Sequence, residues 1–196
     1  ILYLIMETIN YLHLIDSNFI EFSGEDCKNF LQGIITNDIN KCDTEKSIYS
    51  CLLTPQGKFL ADFFIIKKKN KYLIEIHKKF KNDFINKISI YKLRSKVDFI
   101  DLSAKYIAAV ISLEKFKEIS SSTLSNGATT NYQGDSVYID PRNNGLGAKI
   151  ISKLENIHLT IKKLNLKTED KKKYYSRSFE LGIPQIELSK LKEKIF

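Results

Sequence analysis

Hydrophobic and polar positions alternate most clearly between residues 47 and 66, in two apolar segments on either side of a short turn. Alternation of this kind is typical of β-strands, whose successive side chains point to opposite faces of a sheet. The connection is Thr54-Pro55-Gln56-Gly57, in which Pro55 suits the second position of a turn and Gly57 the fourth. The pattern therefore predicts a β-hairpin, with Tyr49, Cys51 and Leu53 alternating before the turn and Phe59, Ala61, Phe63 and Ile65 after it.

Two polar sites near this hairpin allow two interpretations each. Asp62 is the one carboxylate inside the second apolar segment, and it lies either on a solvated strand face or beside a ligand cavity. Asn37 and Asp38 end the segment 30–39, which the spacing predicts as a helix followed by a loop. Their side chains either cap the backbone or face a ligand.

The rest of the chain predicts an α+β fold in two strand-and-helix units of mainly antiparallel sheet, with a ferredoxin-like order of elements. We expect the first unit at 6–103 and the second, with a closing helix, at 104–196. Ser23 is a candidate N-cap of the first helix, with Asp26 three residues later, and Gly182 is suited to end the last helix. Further strands are predicted at 11–22, 72–77, 97–100, 106–112, 136–140 and 148–151, and helices at 80–91, 113–119 and 168–181, the last capped by Thr168.

Composition changes this picture little. The chain has 196 residues, is 43% hydrophobic and carries a formal net charge of +8, so it is long enough and apolar enough for a folded core. A positive charge favours polyanions, but the lysines are scattered and the densest runs, 67–71 and 171–173, are short. Solvated lysine-rich turns explain them, and we expect no direct nucleic-acid site.

The three cysteines, Cys27, Cys42 and Cys51, lack the close spacing that holds zinc or a cluster. We expect Cys27 and Cys51 to be core thiols. Because an odd number of cysteines fits a reducing compartment, we expect a cytoplasmic protein. No apolar run reaches the roughly 18 residues of a membrane helix, so we expect no membrane span.

Two sets of charged side chains are candidates for ligand binding. Arg94 and Lys96 flank Ser95 where the second helix gives way to a strand, and they either bind an anion or complement the helix dipole. Arg177 and Glu180 are three residues apart on the last helix, so their side chains can meet. The alternative for this second pair is a simple surface ion pair.

Five ordered segments carry a family resemblance: FLQGIITNDI (30–39), LLTPQGKFLADF (52–63), YKLRSKVDFID (91–101), DPR with LG (140–142 and 146–147) and RSFELGIP (177–184). Together they resemble the YgfZ family, the folate-binding relatives of the glycine-cleavage T-protein, an aminomethyltransferase. The resemblance implies a non-catalytic protein that binds tetrahydrofolate and supports iron–sulfur cluster assembly or repair, and through it tRNA modification. Its partners would be folate and iron–sulfur assembly or client proteins.

The same resemblance implies five folate contacts, in a cavity between two units that together form one folate-binding domain. Glu180 would hold the pterin, because the 2-amino group and the neighbouring ring N–H are adjacent donors that suit a carboxylate. Asp62 would lie near the reactive nitrogens, and Arg94 or a nearby lysine would bind the glutamate tail. Asn37 lies in a loop that faces the cavity in the family, and Arg177 accompanies Glu180 on its helix.

Two departures from related patterns bear on function. The aminomethyltransferases carry paired aspartates in the hairpin, whereas this chain has Ala61-Asp62, as in the YgfZ branch. A folate-dependent aminomethyltransferase is therefore the alternative function. The YgfZ signature K-G-C-Y-x-G-Q-E and the C-terminal barrel after it do not follow the GIP segment, since the sequence ends at Phe196. We expect a fragment or a shortened chain, and an inactive remnant is a further alternative.

Overall fold

The computed structural model describes residues 11–183 of the chain. These residues divide into two compact units. Residues 17–103 form one, which we call the inserted unit because the sequence of the other unit continues on both sides of it. Residues 11–16 and 104–183 form the outer unit. Each unit has one mainly antiparallel sheet and helices, which confirms the predicted α+β class. None of the described helices has the length and hydropathy to cross a membrane.

The elements follow one another along the chain with short connections. In order they are β1 (Tyr11–Ile15), β2 (Ser17–Ser23), α1 (Cys27–Ile34), β3 (Ile48–Leu53), β4 (Phe59–Lys68), β5 (Lys71–His77), α2 (Lys81–Lys92), β6 (Asp98–Asp101), β7 (Tyr106–Ile111), α3 (Leu113–Ile119), β8 (Thr129–Tyr132), β9 (Asp135–Ile139), β10 (Ala148–Lys153), α4 (Ile157–Lys163), β11 (Lys167–Thr168) and α5 (Lys171–Glu180). Two 3-10 turns, Ile39–Lys41 and Asn144–Leu146, lie in the connections.

The sheet of the inserted unit is antiparallel throughout, in the order β3-β4-β5-β2-β6. The predicted hairpin is confirmed as β3 and β4. At its turn the N–H of Gly57 donates to the carbonyl of Thr54 at 2.9 Å. Gly57 has a φ of +78°, which glycine adopts without steric cost. The turn therefore needs the glycine that the sequence places there.

Aromatic side chains pack the helices of the inserted unit against one face of its sheet. Phe84 of α2 contacts Phe63, with ring centroids 5.1 Å apart, and Phe22 at 6.4 Å. Phe30 of α1 stacks on Phe22, also at 6.4 Å. Full burial of one such side chain contributes about 1.5–3 kcal/mol to folding. The helix predicted at 80–91 from this apolar spacing is confirmed as α2.

The first helix begins later than predicted. Ser23 is the last residue of β2 rather than a cap, and α1 begins at Cys27 with Asp26 in the cap position. The carboxylate of Asp26 accepts a hydrogen bond from the backbone N–H of Lys96 at 2.8 Å instead of capping the helix. Gly24 has a φ of +114°, and a Cβ there would lie 2.2 Å from the carbonyl oxygen of Lys96. A glycine-dependent turn against Lys96 therefore sets the start of α1.

The sheet of the outer unit has the order β11-β1-β7-β10-β9-β8. Its β1–β11 pair is parallel, and the other pairs are antiparallel. Helices α3 and α4 and the connection after α4 cover one face of this sheet. The buried apolar side chains between them include Leu12, Ala109, Phe116, Val137, Ile139, Ile150, Leu164 and Leu166.

β1 belongs to the outer unit, although the pattern predicts residues 6–103 in one unit. Ile15 of β1 pairs with Ala108 of β7, and Leu12 is fully buried in the apolar core of the outer unit. Asp16 alone separates β1 from β2. β1 and β2 therefore enter two different sheets, although they follow one another in a single alternating pattern. The reason is that β1 pairs with β7 and β2 pairs with β5, and both partners lie far away along the chain.

The last helix is shorter than the predicted 168–181. Thr168, the predicted cap, lies in β11 opposite Leu12. The side chain of Asp170 caps α5 instead and accepts from the N–H of Lys172 at 2.9 Å. The predicted end at Gly182 is confirmed: Gly182 has a φ of +68°, and the next N–H bonds back to the carbonyl of Ser178 at 2.8 Å. This is the Schellman arrangement that glycine favours at a helix end.

Candidate functional site

The β3–β4 hairpin brings together Tyr49, Cys51 and Asp62, which we call the hairpin cluster. The hydroxyl of Tyr49 donates to Oδ2 of Asp62 at 2.9 Å. Cys51 is the cross-strand partner of Asp62, and its Sγ lies 4.0 Å from the hydroxyl oxygen of Tyr49. The Tyr49 ring packs on Phe64, with centroids 5.4 Å apart. These side chains are half-buried, apart from the buried Phe64, so the cluster is neither a solvated face nor a closed core.

A β-bulge creates this cluster. Leu53 pairs with Phe59, and the next pair is Leu52 with Ala61, so Leu60 is an extra residue in β4. A regular ladder would place Cys51 opposite Ala61. The bulge moves the pairing by one residue and brings Asp62 opposite Cys51 instead.

The electrostatics of the cluster keep the thiol neutral. Burial raises the pKa of Cys51, and the negative charge of Asp62 raises it further, against the opposing hydrogen bonds of Tyr49 and Thr36. A neutral thiol is a poor nucleophile. Asp62 accepts its hydrogen bond through Oδ2, and no described residue donates to Oδ1. The cluster therefore presents a carboxylate oxygen to a donor rather than a reactive sulfur.

Asn37 lies in the loop that runs along the edge strand β3. Its side-chain amide donates to the carbonyl of Tyr49 at 2.8 Å and accepts from the N–H of Asp38 at 2.8 Å. Ser50, which is buried, accepts from the N–H groups of Thr36 and Asn37, each at 3.1 Å. Of the two interpretations of Asn37, backbone capping is the one that these contacts support. One amide hydrogen remains for a ligand.

Arg94 is exposed at the end of α2 and lines a shallow groove with Asp26, Tyr91, Leu93 and Ser95. None of these residues belongs to the hairpin cluster. The neighbouring cation Lys96 is occupied, because its ammonium pairs with Glu25 at 2.7 Å. Arg94 makes no ion pair with any residue that the structure describes, so its guanidinium is available to an anion.

Arg177 and Glu180 form the predicted ion pair on α5, with Nη1 3.1 Å from Oε2. Both side chains are more than half exposed, at 55% and 63%, so the pair contributes only a few tenths of a kcal/mol. Arg177 also lines a cavity of about 490 Å³ in the outer unit, with Tyr174, His13 and Glu169 among its other lining residues.

This outer cavity carries both signs of charge. Lys173 pairs with Glu169, and Nε2 of His13 lies 3.8 Å from the same carboxylate. Asp140 and Arg142 hold the turn after β9. The carboxylate of Asp140 accepts from the backbone N–H of Arg142 at 2.9 Å and also binds its guanidinium.

The five predicted folate contacts thus fall into three places. Asp62 and Asn37 lie on either side of β3, Arg94 lies at the end of α2, and Arg177 and Glu180 lie on α5 of the outer unit. No group of three or more metal-ligating side chains occurs within residues 11–183. Sequence reasoning missed Tyr49 as the partner of Asp62, because the bulge at Leu60 leaves no clear signal in the sequence.

Comparison with known families assigns the chain. Residues 11–113, more than half of it, match the family model of the GCVT N-terminal domain. The chain belongs to the GCVT N-terminal domain family. The matched region contains the whole inserted unit, and with it the hairpin cluster.

Curated relatives of this GCVT N-terminal domain include iron-sulfur cluster assembly factors and aminomethyltransferases. It is 28% identical over 179 residues to the iron-sulfur cluster assembly factor IBA57 homolog, mitochondrial, of Neurospora crassa, which covers 88% of the chain and 40% of that protein. It is 31% identical over 100 residues to the homolog of the same name from Mycosarcoma maydis, covering 44% and 25%. It is 32% identical over 88 residues to an aminomethyltransferase of Staphylococcus epidermidis, covering 44% and 24%. The chain spans less than half of the length of these relatives.

Among solved structures, this GCVT N-terminal domain is similar to the glycine cleavage system aminomethyltransferase T from Bartonella henselae. The TM-score is 0.73 at 14% identity, and the match covers 91% of the chain and 53% of that structure. Identity this low shows the fold alone. It confirms the aminomethyltransferase type of α+β fold that the sequence motifs imply.

Proposed function

We propose that this chain is a folate-binding part of an iron–sulfur cluster assembly factor of the YgfZ type. The observation that carries the proposal is the similarity to the IBA57 homolog of Neurospora crassa, which extends over 88% of the chain. The ordered motifs found in the sequence support the folate part. The Ala61-Asp62 pair supports the YgfZ branch over the aminomethyltransferases.

The chemistry of the hairpin cluster fits a folate. A reduced pterin presents several N–H donors, and a carboxylate oxygen without a protein donor is a suitable acceptor for them. Oδ1 of Asp62 is such an oxygen, because no residue that the structure describes donates to it. Tetrahydrofolate, when bound, would supply ring nitrogens that carry one-carbon groups. Asp62 would hold and orient these nitrogens, and the protonated thiol of Cys51 would add no negative charge beside them.

The remaining candidate contacts have matching chemistry. Glu180 is 63% exposed and can exchange its surface bond to Arg177 for the adjacent N–H donors of the pterin. Arg94, exposed and unpaired among the described residues, suits the carboxylates of the glutamate tail. Arg177 lines the outer cavity and is a second cation, in addition to Arg94, that could bind a carboxylate. Asn37 retains one amide hydrogen that it could donate to the ligand. Each of these roles is a separate proposal.

The alternative function is a folate-dependent aminomethyltransferase. The 32% identity to the Staphylococcus epidermidis enzyme over 88 residues favours it. Ala61 disfavours it, because the methyl side chain of alanine cannot replace the first aspartate of the pair. We propose a binding role rather than catalysis for this reason.

The proposed function also implies which proteins depend on the chain and where in the cell it acts. Iron–sulfur proteins, including those that modify tRNA, would depend on the chain indirectly. The three cysteines are free thiols, which fits a reducing compartment. We propose the cytoplasm, although the IBA57 homologs carry the word mitochondrial in their names.

The first experiment is thermal unfolding of the chain with and without 5-formyl-tetrahydrofolate. A ligand at a hundred times its Kd stabilises by about 2.7 kcal/mol, which is a rise in Tm of roughly 5–11 °C for a protein of this size. Glu180→Ala should reduce the shift, and Glu155→Ala, an exposed glutamate away from the candidate contacts, should not. A cooperative melt without any shift would reject folate binding and favour an inactive remnant.

The iron–sulfur part needs its own measurement. The chain would be expressed in bacteria that lack their own YgfZ-type protein, and the activity of a [4Fe–4S] dehydratase would be measured in extracts. Recovery of activity that is lost in Asp62→Ala supports the proposal. If the chain binds folate normally but does not restore the dehydratase activity, folate remains its proposed ligand and the cluster-assembly role is rejected.

A further inference from the structure

We propose that Tyr49 is a positioning residue for Asp62, and that its hydroxyl selects the carboxylate orientation that receives the ligand. The inference rests on the proposed folate-binding function and adds to it a residue that does not itself touch the ligand. Its basis is the 2.9 Å hydrogen bond from the Tyr49 hydroxyl to Oδ2 of Asp62.

Tyr49 is a well-fixed donor. Its ring packs on the buried Phe64, with centroids 5.4 Å apart. Its backbone carbonyl accepts from the side-chain amide of Asn37 at 2.8 Å, which ties the edge strand to the neighbouring loop. The hydroxyl therefore reaches Asp62 from a ring and a backbone that are each held by a separate contact.

Asp62 needs such a donor, because the terminal torsion of an aspartate is broad and two-fold. A carboxylate with no partner rotates and presents either oxygen to solvent. With Oδ2 bound to Tyr49, Oδ1 stays free of protein donors within the described residues. The ligand then meets one acceptor in one orientation, which lowers the entropic cost of binding.

Cys51 completes the arrangement. Its Sγ lies 4.0 Å from the Tyr49 oxygen, and a thiol is a weak donor. A thiol hydrogen directed at the Tyr49 oxygen leaves the phenolic hydrogen to point at Asp62. These contacts allow donation from Cys51 to Tyr49 and from Tyr49 to Asp62.

The test is a double-mutant cycle on 5-formyl-tetrahydrofolate affinity, measured by isothermal titration calorimetry. Tyr49→Phe keeps the ring and removes the hydroxyl, and we expect a Kd about 5–10 times weaker. Asp62→Ala removes the carboxylate, with an expected loss of roughly 10- to 100-fold. Tyr72→Phe is the matched control, because it removes a phenol from the core-facing side of the same sheet. We expect its Kd to stay unchanged.

Coupling between the two substitutions decides the inference. If Tyr49 acts through Asp62, Tyr49→Phe has no further effect in the Asp62→Ala background. Equal losses in both backgrounds would show a general structural role and overturn the inference, as would an unchanged Kd in Tyr49→Phe alone. The Tm of each variant without ligand separates loss of affinity from loss of folding. No binding by the wild-type chain would overturn the proposed function itself, and the inference with it.

Discussion

The guanidinium of Arg142 binds the carboxylate of Asp140 side-on, with Nε 3.0 Å from Oδ1 and Nη2 2.8 Å from Oδ2. The Asp140 side chain is 1% exposed and that of Arg142 is 12% exposed. Lys149, also buried, adds a second positive charge that acts on Asp140. The turn after β9 therefore rests on an ion pair that water hardly reaches.

Replacing Asp140 by asparagine should destabilise the protein strongly. The change leaves the largely buried Arg142 without this carboxylate, and removing one partner of a buried ion pair costs roughly 3–5 kcal/mol. Urea unfolding followed by circular dichroism measures the loss. Glu180→Gln is the matched control, because it breaks an exposed arginine–glutamate pair and should cost under about 0.5 kcal/mol. Similar losses in the two variants would contradict the role given to Asp140.

Asp140 should also make stability depend on pH in the acid range. Burial opposes its ionisation, but the hydrogen bonds and charge of Arg142, together with the charge of Lys149, outweigh burial and lower the pKa of Asp140 below its ordinary 3.8. The unfolded chain therefore takes up this proton first as the pH falls. The stabilisation is fully present well above pH 3.8 and is lost as the pH falls through the lower folded value.

The urea midpoints of wild type and Asp140→Asn, measured from pH 6 to pH 3, would show this effect. We expect the difference between the two proteins to be constant near pH 6 and to shrink toward pH 3. A difference that grows as the pH falls would mean that the folded state holds the proton more tightly, contrary to the contacts of Asp140.

Gly147→Ala should be far more harmful than Gly134→Ala. Both glycines have positive φ, +83° and +94°. A Cβ at Gly147 would lie 2.3 Å from the carbonyl oxygen of Ile111, whereas a Cβ at Gly134 would meet nothing within 4 Å. We expect a loss of about 1–2 kcal/mol for Gly134→Ala from backbone strain alone and several kcal/mol for Gly147→Ala. Thermal unfolding of the two variants side by side tests this, and equal Tm values would contradict it.

The three thiols should react with iodoacetamide at different rates in the native protein. Burial raises the pKa of Cys27 to about 11, and burial with the charge of Asp43 raises that of Cys42 to about 12. Both side chains are almost fully buried, whereas Cys51 is half-buried. At pH 8 we therefore expect slow labelling of Cys51 and protection of the other two, as measured by mass spectrometry of tryptic peptides. In urea all three should react at similar rates.

The sequence predicts elements well where local signals agree. The β3–β4 hairpin combines strict alternation with Pro55 and Gly57, and α2 combines apolar spacing with sufficient length. Helix α4 was missed, although Ile157, Ile161 and Leu164 have helical spacing. Strand β8 was also missed, since its segment is short and polar.

The other differences between the predicted and the observed structure arise from contacts between residues that are distant in sequence. Nothing local distinguishes β1 from β2, and tertiary pairing alone assigns them to separate sheets. At the candidate site, the sequence identified Asp62 and Asn37 but not the contact of Tyr49 with Asp62. That contact depends on the bulge at Leu60, and a bulge changes which residues face each other without changing the apolar pattern.

The placement of β1 has a consequence for how the chain matures on the ribosome. β1 emerges before the whole of residues 17–103, and its neighbours β7 and β11 emerge after them. Residues 17–103 are one uninterrupted stretch with their own sheet and apolar core, so they can fold as soon as they have left the exit tunnel. β1 must stay unpaired until translation reaches β7. Residues 17–103 are therefore expected to be protected from protease on nascent chains before the outer unit exists.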